Sequence, residues 1–172
     1  MRDIDSILLT LPESTGGTTP TPLDRGVQTG GWELFKDNIE SLGGRMISPE
    51  ELGNLKDSTF CCDEDAAQFC PSKKLVGPWD AEFGLTLGDW AVAETGTIVL
   101  NAKGHQRLAS LAPPIHIAII RKDCILASLE QVISRLSDRT SVFITGPSRT
   151  ADIEGVLVRG VHGPKEIWVC MI

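Results

Sequence analysis

The run Ile115-His116-Ile117-Ala118-Ile119-Ile120 constrains this chain more than any other segment, because five of its six positions are apolar and they do not alternate with polar ones. Such a run fits a strand covered on both faces, as in a parallel sheet held between layers. Other strand candidates surround it: Arg45–Ile47, Leu85–Leu87, Trp90–Ala93, Thr97–Leu100, Ser141–Thr145 and Glu166–Ile172. Helical signals lie between them. Trp32, Phe35, Ile39 and Leu42 recur at helical spacing, and Gly43-Gly44 ends that helix. Ser48-Pro49-Glu50-Glu51 predicts a capped helix start, with Glu51 three residues after Ser48. Asp63-Glu64-Asp65 precedes Ala66–Phe69, where acids suit the positive end of a short helix. Ser128–Leu136 predicts an amphipathic helix, with Ser128 and Gln131 as a second capping box. Helices interleaved with buried strands predict a layered α/β domain with a largely parallel sheet. Ligands of such sheets sit beyond the carboxyl ends of the strands.

At 172 residues the chain has the length of one domain. Residues 1–31 contain the Thr-, Gly- and Pro-rich stretch TGGTTPTP and show no periodicity, so they read as a mobile arm ahead of an α/β domain over 32–172. Sixteen basic and 23 acidic residues give a net charge of −7, which argues against nucleic acid and against an anionic membrane surface. No stretch approaches the roughly 18 unbroken apolar residues of a membrane span. The acidic start Met1-Arg2-Asp3-Ile4-Asp5 is unlike a signal peptide, and a cytoplasmic location is expected. Cys61, Cys62, Cys70, Cys124 and Cys170 form no Cys-x-x-Cys pair. Neither a zinc ribbon nor a ferredoxin-type cluster is therefore written in the chain. Cys124 and Cys170 sit in apolar segments and read as core. Cys61, Cys62 and Cys70 read as free thiols, with a three-thiol metal site as the alternative.

Three polar motifs adjoin the strand candidates. Gly146-Pro147-Ser148-Arg149-Thr150-Ala151-Asp152-Ile153-Glu154 leaves the strand at Thr145. Gly146 permits a tight turn, Ser148 or Thr150 can cap a following helix, and Arg149 carries a planar fork suited to a carboxylate or phosphate. Internal pairing of Arg149 with Asp152 or Glu154 is the structural alternative. His162, in Val161-His162-Gly163-Pro164, titrates near neutrality and suits acid–base work, or belongs to a plain turn. Glu94, in Ala93-Glu94-Thr95-Gly96-Thr97, is either a half-buried carboxylate with a raised pKa or the partner of Arg107 or Arg149. His116 reads as a satisfied core histidine, while His105 and Arg107 read as loop residues. The three histidines are too dispersed for a dedicated metal site.

The blocks AVAETGTIVL, RLASLAPPIHIAII and FITGPSRTADIEGVLVRGVHGPKEIWVCMI resemble the signature blocks of the lactate-utilisation (LUD) domain family, within it the C branch, over residues 85–172. The resemblance implies a three-layer α/β/α fold similar to the sugar-phosphate isomerase and CoA-transferase-like superfamily. It implies a part in oxidising L-lactate to pyruvate, in a bacterial system with two partner proteins that carry iron–sulfur clusters. It makes this chain an accessory, non-redox subunit with no cofactor of its own. The family's distinctive residues fall on Glu94, Thr95, Gly96, Thr97, Gly146, Pro147, Ser148, Arg149, Thr150, Asp152, Glu154, His162, Gly163 and Pro164. The expectation is that the bends around 95 and 147 meet, that Arg149 grips a small carboxylate or phosphate, and that Glu94 and His162 stand nearby as acid–base groups. The competing readings are a stand-alone acyl/CoA-transferase-like or isomerase-like enzyme with Glu94 in the reacting role, and a ligand-sensing module.

Overall fold

A computed structural model of the chain describes residues 31–101, 107–136, 140–151, 157–159 and 163–172. Apart from Gly31, the segment read as an arm lies outside these residues. In chain order the helices are α1 (Trp32–Ser41), α2 (Pro49–Gly53), α3 (Arg107–Leu111) and α4 (Leu129–Ile133). The strands are β1 (Arg45–Ile47), β2 (Phe60–Cys62), β3 (Phe83–Leu87), β4 (Trp90–Val92), β5 (Thr97–Asn101), β6 (Ile115–Ile120), β7 (Ile125–Leu126), β8 (Ser141–Ile144), β9 (Arg149–Ala151), β10 (Leu157–Arg159) and β11 (Glu166–Met171).

Five strands form a wholly parallel sheet in the order β1-β11-β6-β3-β2. The apolar run that is β6 lies at its centre, with Ile117 in register with Trp168 of β11 and Leu85 of β3. Successive strand residues point to opposite faces. Accordingly Ala118 and Ile120 pack in one core with Phe35, Ile39, Ile98, Ile167 and Val169, while Ile117 and Ile119 pack in another with Leu52, Phe60, Leu85 and Cys170. Each fully buried large side chain contributes about 1.5–3 kcal/mol. The α/β class and the largely parallel sheet are as expected. One face of the sheet is covered by α1 together with a second, four-stranded sheet, β7-β4-β5-β8. Helix α4 packs on the far side of that second sheet through Val132, against Val92, Val99 and Leu126.

Local chemistry accounts for the element ends. Helix α1 stops where Gly43 takes φ 88°. The Gly43 amide then bonds the Glu40 carbonyl at 2.9 Å and the Gly44 amide bonds the Ile39 carbonyl at 2.9 Å, the paired closure that a left-handed glycine permits. The predicted capping box at α2 is present in both directions, at 3.1 and 2.8 Å. The one predicted at α4 is absent: Ser128 donates to Glu130, and Gln131 accepts from the Ala127 amide. Helix α4 is also shorter than the predicted span to Leu136. Arg107, read as a loop residue, opens α3, and α3 lies so close to β3 that a Cβ on Gly84 would meet the Ala109 carbonyl oxygen at 1.7 Å.

His116, on β6, is fully buried. Its Nε2 bonds the Thr86 hydroxyl at 2.8 Å, but its Nδ1 has no partner among the described residues, so it is only half satisfied. Burial lowers its pKa from 6.5 to about 4. Between those values the unfolded chain binds the proton and the folded chain does not. Stability from neutral His116 is therefore complete above about pH 6.5 and is lost as pH falls towards 4, a loss on the order of 3 kcal/mol. Urea unfolding at pH 7 and pH 4.5 should show a smaller acid-side loss in His116→Gln than in the parent. Asp63, whose carboxyl is raised chiefly by burial, titrates in both proteins and cancels in the comparison.

Candidate functional site

The two glycine-bearing bends meet, and helix α1 is the surface on which they do so. Gly96 has φ 64° and Gly146 φ 81°, a region that glycine enters without strain. A Cβ on Gly96 would lie 2.7 Å from the Ile39 amide nitrogen and 2.9 Å from the Asn38 carbonyl carbon. One on Gly146 would lie 3.1 Å from the Leu42 Cβ. The Asn38 amide side chain also donates to the Ala93 carbonyl at 2.7 Å, just before the first bend. Between the bends runs a chain of hydroxyls, Thr95 to Thr97 at 2.8 Å and Thr97 to Thr145 at 2.8 Å. The pairing of β5 with β8 explains the chain. It is antiparallel and sets Ile98 beside Ile144, so the residues that flank them, Thr97 and Thr145, face each other.

Beside the second bend lies a cavity of about 480 Å³. Its walls are the end of β8 with Thr145–Arg149, the end of α3 at Ser110-Leu111, the turn Gly163-Pro164, Ile167 of β11, and Leu42. The Ser148 amide bonds the Pro164 carbonyl at 3.1 Å and closes one corner. A Cβ on Gly163 would lie 3.1 Å from that of Ser148. Arg149 is exposed on the wall and donates one N–H to the Leu42 carbonyl, the free end of α1. No carboxylate among the described residues pairs with it. A guanidinium has five donors in a planar fork, so the remainder can meet an anion in the cavity.

Several expectations change. The cavity lies where β6 and β11 begin, since the Lys165 amide bonds the Pro114 carbonyl at 2.8 Å and α3 ends there. It is thus at the amino ends of the parallel strands and not beyond their carboxyl ends. The reason is that the Arg149 bend leaves the second sheet, not the parallel one. The residues after the bend form the antiparallel hairpin β9–β10, so no helix N-terminus follows for Ser148 or Thr150 to cap.

Glu94 is exposed, neither half-buried nor paired with Arg107 or Arg149. Its Oε1 accepts from the Leu129 amide at 2.8 Å and so caps α4, and Glu94 is not among the cavity's walls. Arg107 instead borders a depression of only about 20 Å³ with Asp63, Asp65 and Asp89, at the opposite end of α3. Asp63 accepts there from the Ala66 and Leu87 amides, at 2.6 and 3.2 Å. Asp152, Glu154, His162 and His105 lie outside the described residues.

Leu42, Ser110, Leu111 and Ile167 were not foreseen as walls. Only the helical spacing that included Leu42 gave any signal for them. Burial, with Cys70 close by, pushes the Cys62 thiol up. No group of three or more His, Cys, Asp or Glu suited to a metal occurs among the described residues. Among them, too, no helix is long and apolar enough to cross a membrane.

Comparison with known proteins places these residues in context. The LUD domain matches residues 79–172, more than half of the chain and all of the cavity walls except Leu42. The chain belongs to the LUD domain family. "Lactate utilization protein C" of Halalkalibacterium halodurans is 42% identical over 94 residues, 49% of this chain and 41% of the relative. The protein of that name from Exiguobacterium sp. is 42% identical over 97 residues, 51% of this chain and 42% of the relative. The matched segment of this LUD chain therefore spans about two-fifths of those relatives. A crystal structure of a DUF162 family protein from Deinococcus radiodurans superposes with a TM-score of 0.60, covering 81% of this chain and 94% of that one. At 22% identity the likeness concerns the fold.

The hydroxyl chain can be tested directly. Thr97 is buried and bonds both Thr95 and Thr145, so Thr97→Val removes two hydrogen bonds and should cost about 1–3 kcal/mol in chemical denaturation, about 0.5–1.5 for each. Thr95→Val, at an exposed position, should cost less. Equal costs would separate the two bends energetically.

Proposed function

We propose that this chain serves lactate utilisation as an anion-holding subunit. Arg149 grips the carboxylate or phosphate of a ligand in the cavity, and partner proteins bearing iron–sulfur clusters carry the electrons. The observation that carries this reading is the position of Arg149. It stands on the wall of a 480 Å³ cavity, its guanidinium tied to a backbone carbonyl and to no carboxylate among the described residues. The relatives' shared name, "Lactate utilization protein C", supplies the metabolic setting.

The cysteine positions support this division of labour. An iron–sulfur cluster takes about four cysteine ligands. Cys61 and Cys62 are successive residues of β2 and so point to opposite faces, Cys170 is buried in the apolar core, and the buried Cys124 thiol bonds Arg121 and Asp123. These positions support a reading in which the partners carry the electrons. A covalent role for Glu94 has no comparable support, since its carboxylate is engaged at α4 outside the cavity.

Arg149→Ala tests the reading. The lost bond to Leu42 is solvent-exposed and worth about 0.5–1.5 kcal/mol, so Tm should fall by no more than about 6 °C. Growth of the native host on L-lactate should slow markedly, while growth on glucose stays unchanged. Undiminished growth on lactate, or a collapse of Tm together with growth, would count against a binding role.

A further inference from the structure

The size and lining of the cavity say more about its occupant than the charge of Arg149 does. A three-carbon acid such as lactate has about six non-hydrogen atoms. Even granting each atom a water's share of liquid volume, about 30 Å³, it fills well under half of the space. By the same measure 480 Å³ holds about sixteen such atoms.

Most of the wall offers such a guest no hydrogen bond. Leu42, Val142, Ile144 and Ile167 supply apolar surface. The polar wall groups are largely committed elsewhere: the Ser110 hydroxyl donates to the Arg107 carbonyl at 2.9 Å, the Thr145 hydroxyl bonds Thr97, and the Ser148 amide bonds Pro164. At the rim, Leu111 and Phe143 stand 43% and 41% exposed, large apolar side chains left facing water beside an already apolar space. One charged fork beside a lining that is more apolar than polar matches an amphipathic acid.

We propose that the cavity binds a monoanionic acid with an extended apolar body, its headgroup on Arg149 and its chain along the α3–β8 walls, and that lactate itself is not the resident ligand. This rests on the reading of the cavity as an anion site. The ligand would then be an effector or a co-substrate, with lactate handled elsewhere in the system.

The test is isothermal titration of the whole chain with L-lactate, hexanoate, octanoate and decanoate, each below its micelle threshold. Affinity should rise about fourfold per added methylene from hexanoate to decanoate, with lactate weakest. Leu111→Asp, at an exposed rim position, should flatten that dependence while circular dichroism and Tm stay near the parent's. Arg149→Ala should weaken all the acids by tenfold or more. If lactate binds as tightly as decanoate and Arg149→Ala abolishes both, the anion site stands and the apolar body is overturned. If affinity grows with chain length but ignores Arg149→Ala, the anion reading fails and the apolar body survives. Growth with chain length that Leu111→Asp leaves intact means detergent-like association elsewhere, and it overturns the proposal, as does the absence of binding by any of the acids.

Discussion

The close approach of helix α1 to two left-handed glycines is the constraint on which the rest of the site depends. Gly96 admits the backbone at Asn38 and Ile39, and Gly146 admits Leu42. At Gly96 the obstacle is main chain, which cannot rotate away, and at Gly146 a Cβ would press tightly on Leu42. Ile39 is fully buried, so α1 is itself pinned to the parallel sheet by the core. The bends are thus referenced to the centre of the protein through one rigid helix. That is the kind of support a binding group needs if its geometry is to persist.

Charge and backbone meet at the same place. The two glycines after α1 close the carbonyls of Ile39 and Glu40, and the Leu42 carbonyl is met by Arg149. A helix C-terminus carries partial negative charge and favours a cation. Arg149 is therefore oriented by α1 at one N–H, and no carboxylate among the described residues takes its other donors. The hydroxyl chain through Thr97 ties the other bend to the same frame. Helix α3 stands between two concave regions of the described residues, with the roomy, mostly apolar cavity at its carboxyl end and the tight aspartate-lined depression at its amino end.

Features set by near neighbours in the chain were legible in the sequence. The nearly all-apolar run marked β6 as a strand buried on both faces, Ser48 and Glu51 marked the start of α2, and Gly43-Gly44 marked the end of α1. That Gly146–Arg149 forms a bend with an arginine was readable too, because turn chemistry is local. What escaped depends on partners distant in sequence. Glu94 caps a helix 35 residues away, while Ser128 and Gln131 bond Glu130 and the Ala127 amide in place of the local box. The strand after Arg149 exists through pairing with Leu157–Arg159, which no pattern at 149–151 announces. The cavity's place at the amino ends of the parallel strands follows from the bend belonging to a second sheet, and sheet membership has no local signature.

The most direct measurement is a backbone-resolved NMR titration of the isotope-labelled chain with octanoate. The account predicts that amide shifts concentrate at Ser110, Gly146, Ser148, Arg149 and Gly163, the walls of the large cavity. Shifts gathered instead at Asp63, Leu87 and Asp89, around the depression at the other end of α3, would contradict it.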